Sequence, residues 1–286
     1  MKRIAVNGMV SLLSFTCGVA ASLIVNWIKS PKNEKARVTV SAPSAVTATA
    51  QVGSTVPIPV VTPEVVFGGG GLRIVTDEVH LKSERLRYQV DVNYPQIVGS
   101  KEPHIRRLNH HIRELAIKQY QWPLNPAQAE LKYYRDKWPE VFNSVDLDYE
   151  IVLADDSFLS IYFIGYSYGI GAAHSVQYSF VLNYDLVSRR ELNLSDVFNR
   201  RSQYLEIISR YSVKELSKQS TGIFEEALTP KAENFRSWNI TRDGLRFNFD
   251  ACKVFGCADG KQTVEIPLTE FEALLNHQIL RKLTKP

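Results

Sequence analysis

Three cysteines in 286 residues are too few for a disulfide-dense scaffold, so the chain has to fold around an apolar core. With 44% hydrophobic residues and 215 residues after position 71, it has the material for one. Net charge is scarce as well. The total is +4, and all of it sits in residues 1–71, where Lys2, Arg3, Lys29, Lys32, Lys35 and Arg37 are offset only by Glu34 and Glu64. Residues 72–286 hold 28 charges of each sign. Nucleic-acid binding draws on a basic patch of the folded part, and this composition gives it no support. The glycine runs lack a following Gly-Lys-Ser/Thr, which excludes a phosphate loop of that type. His110 and His111 are neighbours on a predicted helix, about 100° apart, and read as surface residues rather than as ligands of one metal. No metal or cofactor is expected.

What the chain does have comes first as an apolar run. Residues 4–28 carry no formal charge, and about 20 such residues span a bilayer. Lys2 and Arg3 favour a cytoplasmic N-terminus, and Trp27 suits the far interface. A signal peptide cleaved near Gly18-Val19-Ala20 is the alternative, although the run continues through Leu23, Ile24 and Val25. Either reading exports the rest. Residues 29–71 are rich in Ser, Thr, Ala, Val and Pro, with Phe67 as the single aromatic. Such a segment buries too little to offset its ordering entropy and reads as a flexible linker. As a coil it would span about 35 Å. Valines within residues 56–66 leave room for one added strand. The expected organisation is an anchor or signal at 1–28, a linker at 29–71 and a domain at 72–286, in two α+β halves of about 72–140 and 141–286.

From Leu72 the pattern becomes regular. Residues 73–81 and 85–94 alternate as half-buried strands, with Leu86, Tyr88, Val90 and Val92 on one face. Pro103 opens a helix with Ile105, Leu108, Ile112 and Leu115 as its apolar stripe. Val145, Leu147, Tyr149, Ile151 and Leu153 alternate with Asp146, Asp148 and Glu150, whose carboxylates read as a solvated face. Residues 158–164 are apolar on both faces, as in a central strand. Further strands are expected at 176–184, 235–240, 245–250 and 261–266, and a helix at 204–216. Thr269 and Glu272 form a capping-box pattern for a last helix, buried through Phe271, Leu274, Leu275 and Leu283. Strands in neighbouring pairs without regular helical crossovers predict an α+β fold with antiparallel sheet.

Two short segments carry candidate chemistry. Gly165-Tyr166-Ser167-Tyr168-Gly169 has the Gly-x-Ser-x-Gly spacing of a serine hydrolase, with Asp196 and His277 following in order. A nucleophile elbow needs a helix after the serine, and here Gly169, Gly171 and another strand follow. A hairpin whose glycines allow positive φ is the alternative. Within the loop of residues 166–174, Tyr166, Tyr168, Gly169, Gly171 and His174 form the candidate ligand-binding surface, since tyrosine faces suit sugar rings or protein partners. The alternatives are tyrosines packed on the sheet and a His174 that bonds backbone. Cys252 and Cys257 are read as a disulfide, given an exported domain, and not as a zinc site.

Tyr94-Pro95-Gln96-Ile97 with Leu108-Asn109 and Ile112, then Gly171-Ala172-Ala173-His174, Asn183-Tyr184-Asp185, the stretch from Leu192 to Phe198, Gly244-Leu245-Arg246-Phe247, Cys257-Ala258-Asp259-Gly260 and Val264-Glu265-Ile266-Pro267 resemble the RsiV/PdaC-type extracellular domain family. Order and spacing over about residues 72–280 carry the likeness. The resemblance implies an envelope-facing domain outside a bacterial inner membrane, in the periplasm or beyond, whose partner is a cell-wall glycan or a lysozyme-like protein. It gives no catalytic residue to transfer. Three residues before the apolar run leave no room for the anti-sigma segment, and the chain stops before a deacetylase module. The expected function is therefore a membrane-tethered binding module, held to the bilayer through residues 4–28, rather than an enzyme. A Ser167 hydrolase and a structural envelope partner are the alternatives.

Overall fold

The computed structural model describes residues 65–67, 71–118, 136–200, 202–219 and 222–284. The apolar run at 4–28 and most of the linker lie outside them. Among the described residues no helix is long and apolar enough to cross a membrane.

The fold is α+β. One sheet has seven strands in chain order: β1 (Val65–Phe67), β2 (Leu72–Ser83), β3 (Tyr88–Val98), β4 (Asn143–Ala154), β5 (Phe158–Tyr168), β6 (Val176–Asp185) and β7 (Arg190–Glu191). Five of the six pairings are antiparallel. The exception is β3 with β4, which run parallel. That pairing requires a crossover, and helix α1 (Pro103–Lys118) lies in the connection. The expectation of strands paired without helical crossovers fails here, because local alternation reports burial and not strand direction.

Helix α1 buries Ile105, Leu108, Ile112 and Ala116 against Val90, Val92, Leu147, Ile161 and Phe163 of the sheet. Asn109 fixes its register. Its Nδ2 donates to Ile97 O and its Oδ1 accepts from Ile97 N, both at 2.8 Å, so one amide caps the end of β3 like an extra strand residue.

A second core forms on a three-stranded antiparallel sheet, order β10-β9-β8, made of β8 (Trp238–Ile240), β9 (Gly244–Phe249) and β10 (Gln262–Pro267). Helices α2 (Leu194–Val197), α3 (Tyr204–Leu216) and α4 (His277–Leu283) complete it. Phe235, Phe247, Phe249, Ile266, Phe271 and Leu275 fill it. Phe235 lies in the 3-10 turn 232–235 rather than in the predicted strand, and it meets Phe247 and Phe249 edge-on at 5.8 and 6.3 Å.

The last helix also starts later than predicted. Phe271 and Leu275 are buried as expected, but Leu275 bridges Phe198 in extended form. Asn199 N donates to Leu274 O and Asn276 N to Val197 O. These bonds hold residues 274–276 out of a helix, so the cap is Asn276, whose side chain accepts from Gln278 N, and not Thr269.

Cys252 and Cys257 are bridged. The bridge closes a six-residue bend that turns Val254 and Phe255 into the second core. A loop this short constrains the unfolded chain modestly. Reduction is therefore expected to cost about 2 kcal/mol, read as a lower thermal midpoint. Two free thiols in the non-reduced protein by mass spectrometry would contradict the bridge.

Candidate functional site

Residues that alternate along a strand project to opposite faces. On the face away from α1 the register lines up His80, Asp91, Asp146, Tyr166 and Gln177 across five strands. A second row holds Lys82, Gln89, Ser144 and Tyr168. Asp148 pairs with Ile164 and takes a hydrogen bond from Asn93. The outcome is a polar face of carboxylates and amides, edged by two half-buried tyrosines.

Its electrostatics are set by neighbours. His80 sits between Asp91, 2.8 Å from Nδ1, and Glu78, 3.0 Å from Nε2. These hydrogen bonds, Asp91's first, raise its pKa above the usual value. Asp91 also accepts from Gln89 Nε2 at 2.7 Å. Partial burial pushes the Asp146 and Asp148 carboxyls up, with the Asp91 charge adding to the effect at Asp146. Glu150 is held by Arg246 through two bonds of 2.8 and 3.1 Å. Arg246 and Lys261 approach the Tyr162 ring, 5.6 and 5.1 Å from its centre. Burial carries the Tyr162 hydroxyl up to about 12. The small sheet thus walls one side of the face, and Ser237 Oγ meets Ser179 Oγ at 3.4 Å.

The segment of residues 165–175 is a strand end and a hairpin. Ser167 lies inside β5 and pairs with Val145 of β4 and Val176 of β6, so the elbow geometry of a nucleophilic serine is absent. Asp196 is engaged locally, accepting from Asn193 N and pairing with Arg190. Gly165 leaves room for the Tyr178 ring; a Cβ there would lie 2.3 Å from it. Gly171 has φ of +92°, as the hairpin reading required, and Ala172 N closes the turn on Gly169 O. Asn143 Oδ1 accepts from Ile170 N at 2.8 Å and ties the loop to the start of β4. His174 is exposed and donates Nδ1–H to Ser175 O at 3.0 Å.

Tyr166 and Tyr168 therefore belong to the polar face, whereas Gly169, Gly171 and His174 form the loop beyond its end. Sequence reasoning saw Asp146 and Asp148 as outward but missed that register sets them beside Asp91 and Tyr166. Alternation was the available signal, and pairing partners were the missing one. Among the described residues no group of three or more His, Cys, Asp or Glu side chains is arranged to hold a metal ion.

Beside β7 lies a cleft of about 310 Å³ whose lining includes Asn183, Glu191, Asn193, Ser195, Arg236 and Trp238. Sequence reasoning did not single it out, since its residues come from four separate stretches of the chain.

Comparison with known proteins covers both regions. Residues 81–177 match the family model described as "Deacetylase PdaC". Residues 81–177 are thus similar to a PdaC-type domain. Residues 195–269 match the model described as "Protein of unknown function (DUF3298)". The peptidoglycan-N-acetylmuramic acid deacetylase PdaC of Bacillus subtilis (strain 168) is 26% identical over 219 residues, which cover 74% of this chain and 44% of that protein. This chain thus spans less than half the length of the curated relative it matches. A crystal structure of a DUF3298 family member from Bacteroides fragilis shares this chain's fold, with a TM-score of 0.52 at 15% identity over 74% of this chain and 97% of that one. The polar sheet face falls largely within the PdaC-matched part, whereas the cleft is lined by residues of the DUF3298-matched part and of the stretch just before it.

Proposed function

We propose that this chain is a binding module of the bacterial cell envelope that recognises peptidoglycan glycan on the open face of its seven-stranded sheet. The observation that carries the reading is the row Asp91, Asp146, Tyr166 and Gln177. An aromatic ring flanked by carboxylate and amide groups suits a sugar ring with its hydroxyls. The name of the Bacillus subtilis relative, a peptidoglycan deacetylase, supports the same polymer. In this reading residues 4–28 anchor or export the chain and residues 29–64 hold the domain off the membrane, the expected linker ending earlier than residue 71 because Val65–Phe67 pairs with β2 and Phe67 is buried in the first core.

Tyr166→Ala with Tyr168→Ala is expected to weaken binding of the full chain to purified peptidoglycan sacculi at least tenfold, with the thermal midpoint nearly unchanged. Unaltered affinity would reject this face. The carboxylates favour a second reading, a basic wall-acting protein such as lysozyme. It predicts lysozyme binding that weakens with salt and with Asp146→Asn and Asp148→Asn. Binding indifferent to both would remove it.

A further inference from the structure

Strand β2 continues to Ser83, but β1 covers its outer edge only along residues 72–74. Among the described residues no strand pairs with the rest of that edge. The pairing with β3 fixes which groups the edge presents. In an antiparallel pair, opposite residues alternately exchange both main-chain bonds or turn both groups away from each other. Ile97, opposite Ile74, gives its N–H and C=O to the Asn109 side chain. Pro95, opposite Thr76, has no N–H. Arg87 turns its carbonyl to Asn143 N at the start of β4. The odd-numbered groups of β3 thus face away from β2, and the register runs without a shift. Thr76, Glu78, His80 and Lys82 therefore turn their N–H and C=O groups to the open edge. Glu78 N fits this placement: it donates to Asp77 Oδ1 at 3.1 Å and not across the ladder.

The residues upstream of β1 do not suit this edge. Continued in the register of Val65 with Ile74, they would set Pro63, Val61, Pro59 and Pro57 opposite those four residues. The prolines lack the N–H that the ladder requires. A second copy of β2 has it. Two β2 strands running antiparallel about a two-fold axis at His80 exchange main-chain bonds between Glu78 and Lys82 of the second copy, and between the two His80 residues. The side chains agree with that register. On the open face the exposed Glu78 meets the opposite charge of Lys82. On the other face the half-buried Val79 meets Leu81. Both kinds of cross-strand pair are stabilising. Each His80 that faces its copy is held between the carboxylates of Asp91 and Glu78, which offset its charge. We infer that the protein self-associates as a two-fold dimer through the open edge of β2, joining two seven-stranded sheets into one. The polar faces of the two copies then share one side of the joined sheet. The inference stands on the edge and not on the glycan reading.

Sedimentation velocity of the full chain over a concentration series tests it. The parent is expected to show a concentration-dependent monomer–dimer equilibrium. His80→Pro removes one outward N–H and no bond to β3, so it should weaken dimerisation at least about tenfold. His80→Ala keeps that N–H and should dimerise as the parent does. Glu78→Lys sets like charges opposite each other and should weaken the dimer, and adding Lys82→Glu should restore it. The charge exchange leaves the backbone unchanged, so it decides the matter even where the proline variant fails to fold. A parent that stays monomeric throughout the series would overturn the inference. So would a folded His80→Pro variant that dimerises like the parent, or a charge exchange that restores nothing.

Discussion

Asn183→Ala is expected to lower the unfolding free energy by about 3–5 kcal/mol, since each buried group left unpaired costs roughly 1–3 kcal/mol. Asn183 is 2% exposed and makes three hydrogen bonds. Its Oδ1 accepts from Ser160 Oγ at 2.7 Å and from Ile240 N at 3.0 Å, and its Nδ2 donates to Trp238 O at 2.7 Å. Two of these partners belong to β8, so one amide joins the seven-stranded sheet to the three-stranded one where no strands pair. The network continues from Asn239 Nδ2 to Ser160 Oγ at 2.9 Å and to Ile161 O at 3.1 Å, and from Asn248 Nδ2 to Asn239 Oδ1 at 3.0 Å. Asn183→Leu restores most of the volume but leaves Ile240 N–H and Trp238 C=O unpaired and the Ser160 hydroxyl without its acceptor, so it should not rescue stability. Asn183→Ala and Asn239→Ala share Ser160 and are expected to be non-additive by more than about 0.5 kcal/mol. Urea unfolding of the singles and the double checks all three statements. Full rescue by leucine would show that the site needs volume and not pairing.

Asn183 also shows where sequence reading stops. Alternation placed Tyr178, Phe180 and Leu182 on one face of a strand, and these do pack with the first core. It left the opposite face open to water by default. At the Gln177 end that face is only half-buried, but at the Asn183 end the second core covers it. Period-two patterning marks a face as apolar; it does not tell a solvated polar face from one sealed by a hydrogen-bond network. The α+β class, the seven longest strands and the stripe of α1 were legible because each follows from local spacing. The parallel pairing of β3 and β4 was not, since strand direction depends on how the residues between them cross over. The late start of α4 was hidden for a related reason. A Thr-x-x-Glu pattern before leucines serves a helix or a 3-10 turn equally, and long-range backbone bonds to residues 197–199 decide it. The candidate site was half legible: Tyr166 and Asp146 were each noticed, and their adjacency came from register.

Breaking the pair of Asp185 with Lys282 is expected to cost about 3–5 kcal/mol at neutral pH, because it strands a charge in a poorly solvated place. The Asp185 side chain is 3% exposed and that of Lys282 19%. One carboxylate oxygen accepts from Lys282 Nζ of α4. The other accepts from Val187 N at 3.0 Å and Ser188 N at 2.9 Å, so Asp185 both closes the turn after β6 and pins the last helix. Burial alone would raise its pKa; the hydrogen bonds from Lys282 and Ser188 overcome that and hold it below the usual carboxylate value. The sign of the pH dependence follows. A carboxyl whose folded pKa lies below the unfolded value of about 3.9 adds stability that is present above that value and is lost as pH falls through the folded one. Lys282→Met should therefore destabilise most at pH 7, and the gap to the parent should narrow once Asp185 is protonated in both proteins. Asp185→Asn combined with Lys282→Met removes both charges and should be more stable than Lys282→Met alone, since no unpaired carboxylate remains buried. Urea midpoints between pH 3 and pH 7 measure this. A Lys282→Met cost that stays constant across that range would assign Lys282 a packing role against Phe158, whose ring centre lies 5.9 Å from Nζ, and not a charge-pairing one.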